Sequence, residues 1–268
     1  MSTTSNSQQE DRDTTIARSV VYGLLSRALA HPSEARLAEL RETVGPLAAL
    51  IVIDDPQLGP MVGDLLSMFD RPAAQLRRAH TLTFPPIDSR DHPPYESAYV
   101  SSDIFVQTDV MADIGAFYRA HGLRAGGGEP ERHDHICTEL EFMAFMAHKQ
   151  VCAIDELGAD EVEECHRTQT TFLRDHLGRW AVAFGDRLAI SAADEPYRLL
   201  GRLLRTWIEL DCTLLAATPE AYLDRPHPPI PPDDGTCGFE EAECSDIDPM
   251  PSAPATPVSM PGRRGTSR

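Results

Sequence analysis

The chain has 268 residues, 41% of them hydrophobic, and its 24 basic and 42 acidic side chains leave a net charge of −18. That length supports one large domain or two small ones with a sizeable core, and the charge argues against nucleic-acid backbones and anionic membranes as partners. The acid excess suits a cationic partner; it equally fits a GC-rich or salt-adapted genome, since Lys149 is the sole lysine, and composition does not separate the two.

The N-terminal stretch, residues 1–13, is polar and acidic, without the basic and apolar regions of a secretory signal. It reads as a flexible lead-in, with the cytoplasm as the expected address. The longest apolar run, Leu47 to Ile53, is far short of the roughly 20 residues that span a bilayer, so no membrane insertion is expected. From there helical periodicity dominates. Ile16, Val20, Leu24 and Ala28 form one face of a helix that Pro32 ends. Leu37, Leu40, Val44 and Leu47 suggest a second helix. Leu58, Met61, Leu65, Leu66 and Phe69 suggest a third, between Asp55-Pro56 and Pro72, and Ala73 to Leu82 a short fourth. Phe84-Pro85-Pro86 and Asp91-His92-Pro93-Pro94 frame a proline-rich loop.

Val110, Ile114, Phe117, Tyr118 and His121 give a further helix stopped by Gly122, and Gly126-Gly127-Gly128 a connector. The strongest helix runs from His135 to about Ala153, with Ile136, Leu140, Met143 and Val151 on one face. Others follow around Val162–Leu177, Arg179–Ile190 and Glu195–Leu215. No alternating strand pattern is present. The expectation is therefore an all-α fold, a single helical domain of about ten helices over residues 14–217. Residues 218–268, with Pro226-His227-Pro228-Pro229-Ile230-Pro231-Pro232 near their start, read as a disordered acidic tail. The six cysteines lack C-x-x-C spacing and read as reduced thiols. Cys237 and Cys244, in the tail, leave a metal or redox role open but unsupported.

Three motifs follow one another. The first is Pro93-Pro94-Tyr95-Glu96-Ser97-Ala98-Tyr99, a loop entering a short helix. The second is Glu131-Arg132-His133-Asp134-His135-Ile136, running into Glu139-Leu140-Glu141-Phe142-Met143. The third is Phe172-Leu173-Arg174-Asp175-His176-Leu177, with Trp180 and Phe184 after it. Arg18, Tyr22, Leu25 and His31-Pro32 precede them. In this order, over residues 14 to 215, the chain resembles the TorD/DmsD/NarJ family of redox-enzyme maturation chaperones. That family has a proline-proline-aromatic loop and an E-x-P-D-H segment leading into a helix. His133 stands where the family usually has proline.

The resemblance implies a helical chaperone that binds the twin-arginine signal peptide of a molybdopterin enzyme precursor, delays export and assists cofactor loading. It is not an enzyme and carries no cofactor of its own. The positions that match the family's peptide-binding motifs are Tyr95 and Ser97 in the loop and Asp134 and His135 at the helix start. Residue chemistry points the same way. A cationic, apolar export signal needs carboxylates for its guanidinium groups, and Asp134 and Glu131 are the candidates. Pro94, Tyr95 and Tyr99 can supply apolar groove wall.

Plainer readings stand beside these. Asp134 is also a fitting N-cap. His135 and Glu139, at i and i+4, could share a metal but lack a third ligand. Phe142, Met143, Phe145 and Met146 read as groove lining or as ordinary core, and His176 and Trp180 as structural. The main rival function is a metal-dependent phosphohydrolase of the HD type, built on His133-Asp134 with His121 and Asp155 recruited. A third reading is an adaptor that docks the N-terminus of a nitrate-reductase-like subunit. The loop at 83–93 is long enough for helices to exchange, which leaves a monomer and a domain-swapped dimer both open.

Overall fold

The computed structural model describes residues 2–44, 56–85, 91–123, 132–222 and 226. Its elements are helices, and the core forms where their apolar faces meet. Helix α1 (Ser2–Leu29) starts well before Thr14, so most of the expected flexible lead-in is a continuation of the helix. A physical reason is visible in Arg12, whose guanidinium donates to both carboxylate oxygens of Asp155 at 2.7 and 2.8 Å. That fork holds the first turns against the far end of another helix.

Residues Val21 to Ser26 of α1 are all buried, more than a one-sided amphipathic helix would hide. The helix lies between Ile136–Cys152 (α7) and Glu195–Leu214 (α10). Of the expected stripe, Leu24 and Ala28 are fully buried while Ile16 and Val20 are only partly so. Deep between α1 and α10, Arg18 donates to Asp211 through Nε at 2.5 Å and through its terminal nitrogen at 3.0 Å. The Tyr22 hydroxyl donates to the same carboxylate at 2.6 Å. Such a charge is tolerated inside only because every partner is in place.

The remaining elements follow the expected order. Ser33 caps α2 (Glu34–Glu39), which loosens into a π-helical turn, Leu40–Val44; Leu47 lies outside the described residues. Helix α3 (Leu58–Phe69) buries Leu58, Val62, Leu65 and Phe69, and α4 (Ala73–Thr83) buries Leu76 and Ala79. After the proline loop come α5 (Ser97–Val100) and α6 (Ile104–Ala120). Asp103 caps α6 by accepting from the Phe105 N–H. Gly122 then adopts φ +76°, the left-handed geometry that favours glycine after a helix.

Helix α7 passes into a π turn, Ala153–Leu157, and α8 (Ala159–Phe172) into a second, Leu173–Leu177. Then come α9 (Gly178–Ser191) and α10. These last two cross with backbones nearly touching: a Cβ at Gly201 would stand 2.5 Å from the Gly185 carbonyl oxygen. Among the described residues there is no β-strand, and none of their helices is long and apolar enough to cross a membrane. Cys137, Cys152, Cys165 and Cys212 are free thiols.

The expected boundary at 218 falls too early. After α10 the chain turns through Ala216, and residues 219–222 lie along the start of α9. Arg179 donates through Nε to the Glu220 carbonyl, and the Tyr222 N–H donates to the Arg179 carbonyl, both at 2.9 Å. Apart from Pro226, the rest of the tail, including Cys237 and Cys244, lies outside the described residues, as does the glycine connector.

Candidate functional site

Two short segments far apart in sequence are stitched together here. The Glu96 N–H donates to the Asp134 carbonyl and the Ile136 N–H to the Pro94 carbonyl, both at 2.9 Å. This leaves Tyr95 and His135 paired in an isolated antiparallel bridge, their rings edge to face at 5.2 Å. The loop residues and the helix-start residues that the motifs singled out therefore form one structure. Prolines before Tyr95 keep this loop extended, as the bridge requires.

Asp134 is the staple. Fully buried, its carboxylate accepts two hydrogen bonds from Arg132, at 2.9 and 2.8 Å, and one from the Ser97 N–H at 3.2 Å. Arg132 also donates to the Ser97 hydroxyl at 2.8 Å and lies over the Tyr95 ring at 4.5 Å. Asp134 is thus occupied by an arginine of its own chain. Nor is it the N-cap: that role falls to His135, whose Nδ1 accepts from the Cys137 N–H at 3.2 Å. Pro94 and Ser97 are buried beneath the loop. Tyr99 has no exposure and packs on Trp180 with ring centroids 5.3 Å apart, which makes it core instead of groove wall. Glu131 lies outside the described residues. His133, the departure from the family pattern, accepts through its carbonyl from the Tyr118 hydroxyl at 2.9 Å. Its ring seats over Gly115, where a Cβ would come within 3.0 Å.

Beneath this bridge lies a cluster that the motifs contained but residue reasoning did not pick out. Glu96 and Glu139 are both fully buried. His176 Nδ1 lies 3.3 Å from Glu96 Oε1, and the Tyr222 hydroxyl donates to the same oxygen at 3.1 Å. Trp180 Nε1 donates to Glu139 Oε2 at 3.1 Å. Burial first, and then the neighbouring Glu96 carboxylate, push the Glu139 carboxyl well above the ordinary glutamate range. Available signals were the glutamate inside Pro-Pro-Tyr-Glu-Ser and the acidic residue on the buried face of α7. His176 and Trp180, read as structural, face this cluster.

A second aromatic group lies under the end of α1. His80 meets His31, Phe84 and Tyr197 with ring centroids 5.3, 5.1 and 5.9 Å away. Burial, followed by repulsion from His31, lowers its pKa to about 4. The other stripe resolves in favour of core: Phe142, Met143 and Met146 are buried, and Phe145 alone is exposed.

The hydrolase arrangement is not assembled. Asp155 is taken by Arg12, His121 lies 3.4 Å from the Thr168 hydroxyl, and Asp134 is held by Arg132. Among the described residues no three metal-donor side chains converge, so His135 and Glu139 gain no third ligand.

An all-helical body with a loop bridged to a helix start defines the class, and comparison with known proteins gives the family. The family model described as nitrate reductase delta subunit matches residues 33–186, and the chain belongs to this family, as the resemblance implies. It is 30% identical over 100 residues to the selenate reductase assembly chaperone protein of Thauera selenatis, covering 37% of this chain and 50% of that one. It is 24% identical over 212 residues to the chaperone protein TorD of Shewanella loihica, covering 75% and 94%. A solved structure from Archaeoglobus fulgidus, described as that of a redox enzyme maturation protein, is 19% identical with a TM-score of 0.46, covering 72% of this chain and 93% of that one. The chain spans 50 to 62% of the length of three of its curated relatives.

Proposed function

We propose that this protein is a cytoplasmic assembly chaperone for the molybdopterin-containing subunit of a DMSO-reductase-type oxidoreductase. It binds the N-terminal signal peptide of the precursor, assists folding and cofactor insertion, and delays export until loading is complete. It performs no catalysis of its own. Membership of a family whose relatives are named as assembly chaperones supports this, and the observation that carries it is the Tyr95–His135 bridge, which joins the loop and the helix start whose motifs match the family. At that junction Tyr95 and His135 are partly exposed and Arg132 is half-exposed. Pro94, Ser97, Tyr99 and Asp134 hold it in shape from below. Elsewhere in the sequence, at the start of α6, Ile104, Phe105 and Val106 are exposed apolar side chains, Phe105 at 77%. A signal peptide with a cationic head and an apolar stretch is a fitting occupant for such a mixture.

The test is capture of the catalytic-subunit precursor by the full chain, with and without its leader. Retention of the leader-bearing form and loss of the leaderless one is expected. Equal retention of both would overturn leader binding and favour the adaptor reading, docking on a subunit N-terminus without an export signal. Capture of neither would overturn the chaperone reading.

A further inference from the structure

Buried carboxylates in this fold come in two kinds. Asp134 and Asp211 each lie in the fork of an arginine, Arg132 and Arg18. Glu96 and Glu139 lie against each other, and among the described residues no arginine or lysine forms an ion pair with either. Two oxygens of this pair, Glu96 Oε2 and Glu139 Oε1, are buried without a hydrogen-bond partner, as is Nε2 of the adjoining His176. Acceptor-only groups brought together out of water are expensive to hold unless something donates between them. His176 Nδ1, 3.3 Å from both Glu96 oxygens, supplies one donor, and burial beside Glu96 raises the Glu139 pKa, which favours a proton on that carboxyl.

The cover over this pair is thin. Tyr222 reaches Glu96 from a seven-residue strap, 216–222, that runs past Gly178, where a Cβ would stand 3.0 Å from the Pro219 ring. Two hydrogen bonds to Arg179 and the stacking of its guanidinium, 3.8 Å from the Tyr222 ring centroid, hold the last residues down. Tyr222 itself is only half-buried. The strap lies beyond the end of α10 at Leu214, so its displacement would disturb no helix given above and would remove the Tyr222 hydroxyl from Glu96.

We propose that Glu96 and Glu139 form a guanidinium site beneath the Tyr222 strap, which an arginine of a partner peptide enters when the strap lifts. The proposal rests on the reading above that the partner is a cationic peptide, and names where its charge lands. Arginine fits better than lysine because its planar fork presents parallel donors that can span two carboxylates at once. Binding is an exchange: the guanidinium enters, the Glu139 carboxyl becomes anionic, and its proton leaves to solvent. The other groups facing the pair are Tyr222 of the strap with Arg179 of α9 over its ring, Tyr118 of α6, His176 from the π turn, with Asp113 of α6 3.5 Å from its Nε2, and the Arg132–Asp134 ion pair on the turn before α7.

Calorimetry on the full chain at pH 7.5 tests this with three synthetic peptides. Each has an apolar leucine–alanine run preceded by two arginines, two lysines or two glutamines. The arginine peptide is expected to bind about ten-fold more tightly than the others. Comparing buffers of different ionisation enthalpy should reveal about one proton released per peptide bound. Glu139→Gln, which mimics the protonated carboxyl and preserves the fold, should abolish both the preference and the proton release. Tyr222→Ala should tighten arginine-peptide binding about ten-fold by removing the cover. Equal binding of all three peptides by wild type and Tyr222→Ala would overturn the site while leaving peptide capture intact. Binding of none would overturn both. An arginine preference that survives in Glu139→Gln would also overturn the site.

Discussion

Two acidic clusters inside one helical body are built on opposite plans. Between α1 and α10, Asp211 is met by the Arg18 fork and the Tyr22 hydroxyl, so an anion and a cation enter the core together. Under the Tyr95–His135 bridge, Glu96 and Glu139 enter together with a histidine, an indole N–H and a tyrosine hydroxyl as neighbours. The first plan is complete within the chain and locks two helices. The second leaves buried oxygens without donors, and that kind of incompleteness concentrates at functional sites. On the proposal above, the difference separates what holds this protein together from what it offers a partner.

Substitutions can break that contrast, and the largest effect is expected at the complete cluster. Asp211→Ala strands the buried Arg18 charge and should destabilise the fold by about 3–5 kcal/mol in urea unfolding. Asp134→Ala should lower stability by a smaller amount, about 1–3 kcal/mol, because the Arg132 it releases is partly exposed and can turn to water. Hydrogen exchange should rise at the Ser97 amide, which loses its acceptor, and signal-peptide capture should fall with it.

The next effect is a slope. His80 stays neutral in the folded state down to about pH 4, whereas its unfolded pKa is 6.5. Unfolding takes up a proton between those values, so stability should fall with acidification by up to about 1.4 kcal/mol per pH unit. His80→Leu should flatten that limb in melts between pH 6.5 and 4. The smallest effect is expected at the incomplete cluster, with the opposite sign. Folded Glu139 holds a proton that the unfolded chain releases above its ordinary value of 4.5, so wild-type stability falls as pH rises past that point. Glu139→Gln should melt at or above wild type at pH 7.5, and the gap should close toward pH 4.5.

Most of the helical order could be read from residues alone, because α3, α4, α9 and α10 have apolar faces bounded by proline, glycine or a polar break. The errors are informative. Residues 2–13 hold a helix through Arg12, whose partner Asp155 is 143 positions away, a pairing that no local pattern contains. The strap was assigned to the tail because Thr218 to Tyr222 is short and proline-bearing, and its anchor is a single arginine on α9. The motif residues fall together in space, but their surroundings differ from what residue chemistry alone suggests. Asp134 looked like a free carboxylate because the arginine that neutralises it lies only two positions away and could equally have faced solvent. Spacing pairs Glu139 with His135 at i and i+4, whereas α7 turns Glu139 inward toward a glutamate 43 positions earlier, at Glu96.

The account depends most on the protonation of the inward-facing Glu139, and infrared difference spectroscopy reads it directly. Wild type minus Glu139→Gln at pH 7.5 should contain the carbonyl stretch of a protonated carboxylic acid, and adding the arginine peptide to wild type should remove it. A spectrum with carboxylate bands alone, unchanged by the peptide, would mean that the pair already carries its counter-charge and has no vacancy for an incoming arginine.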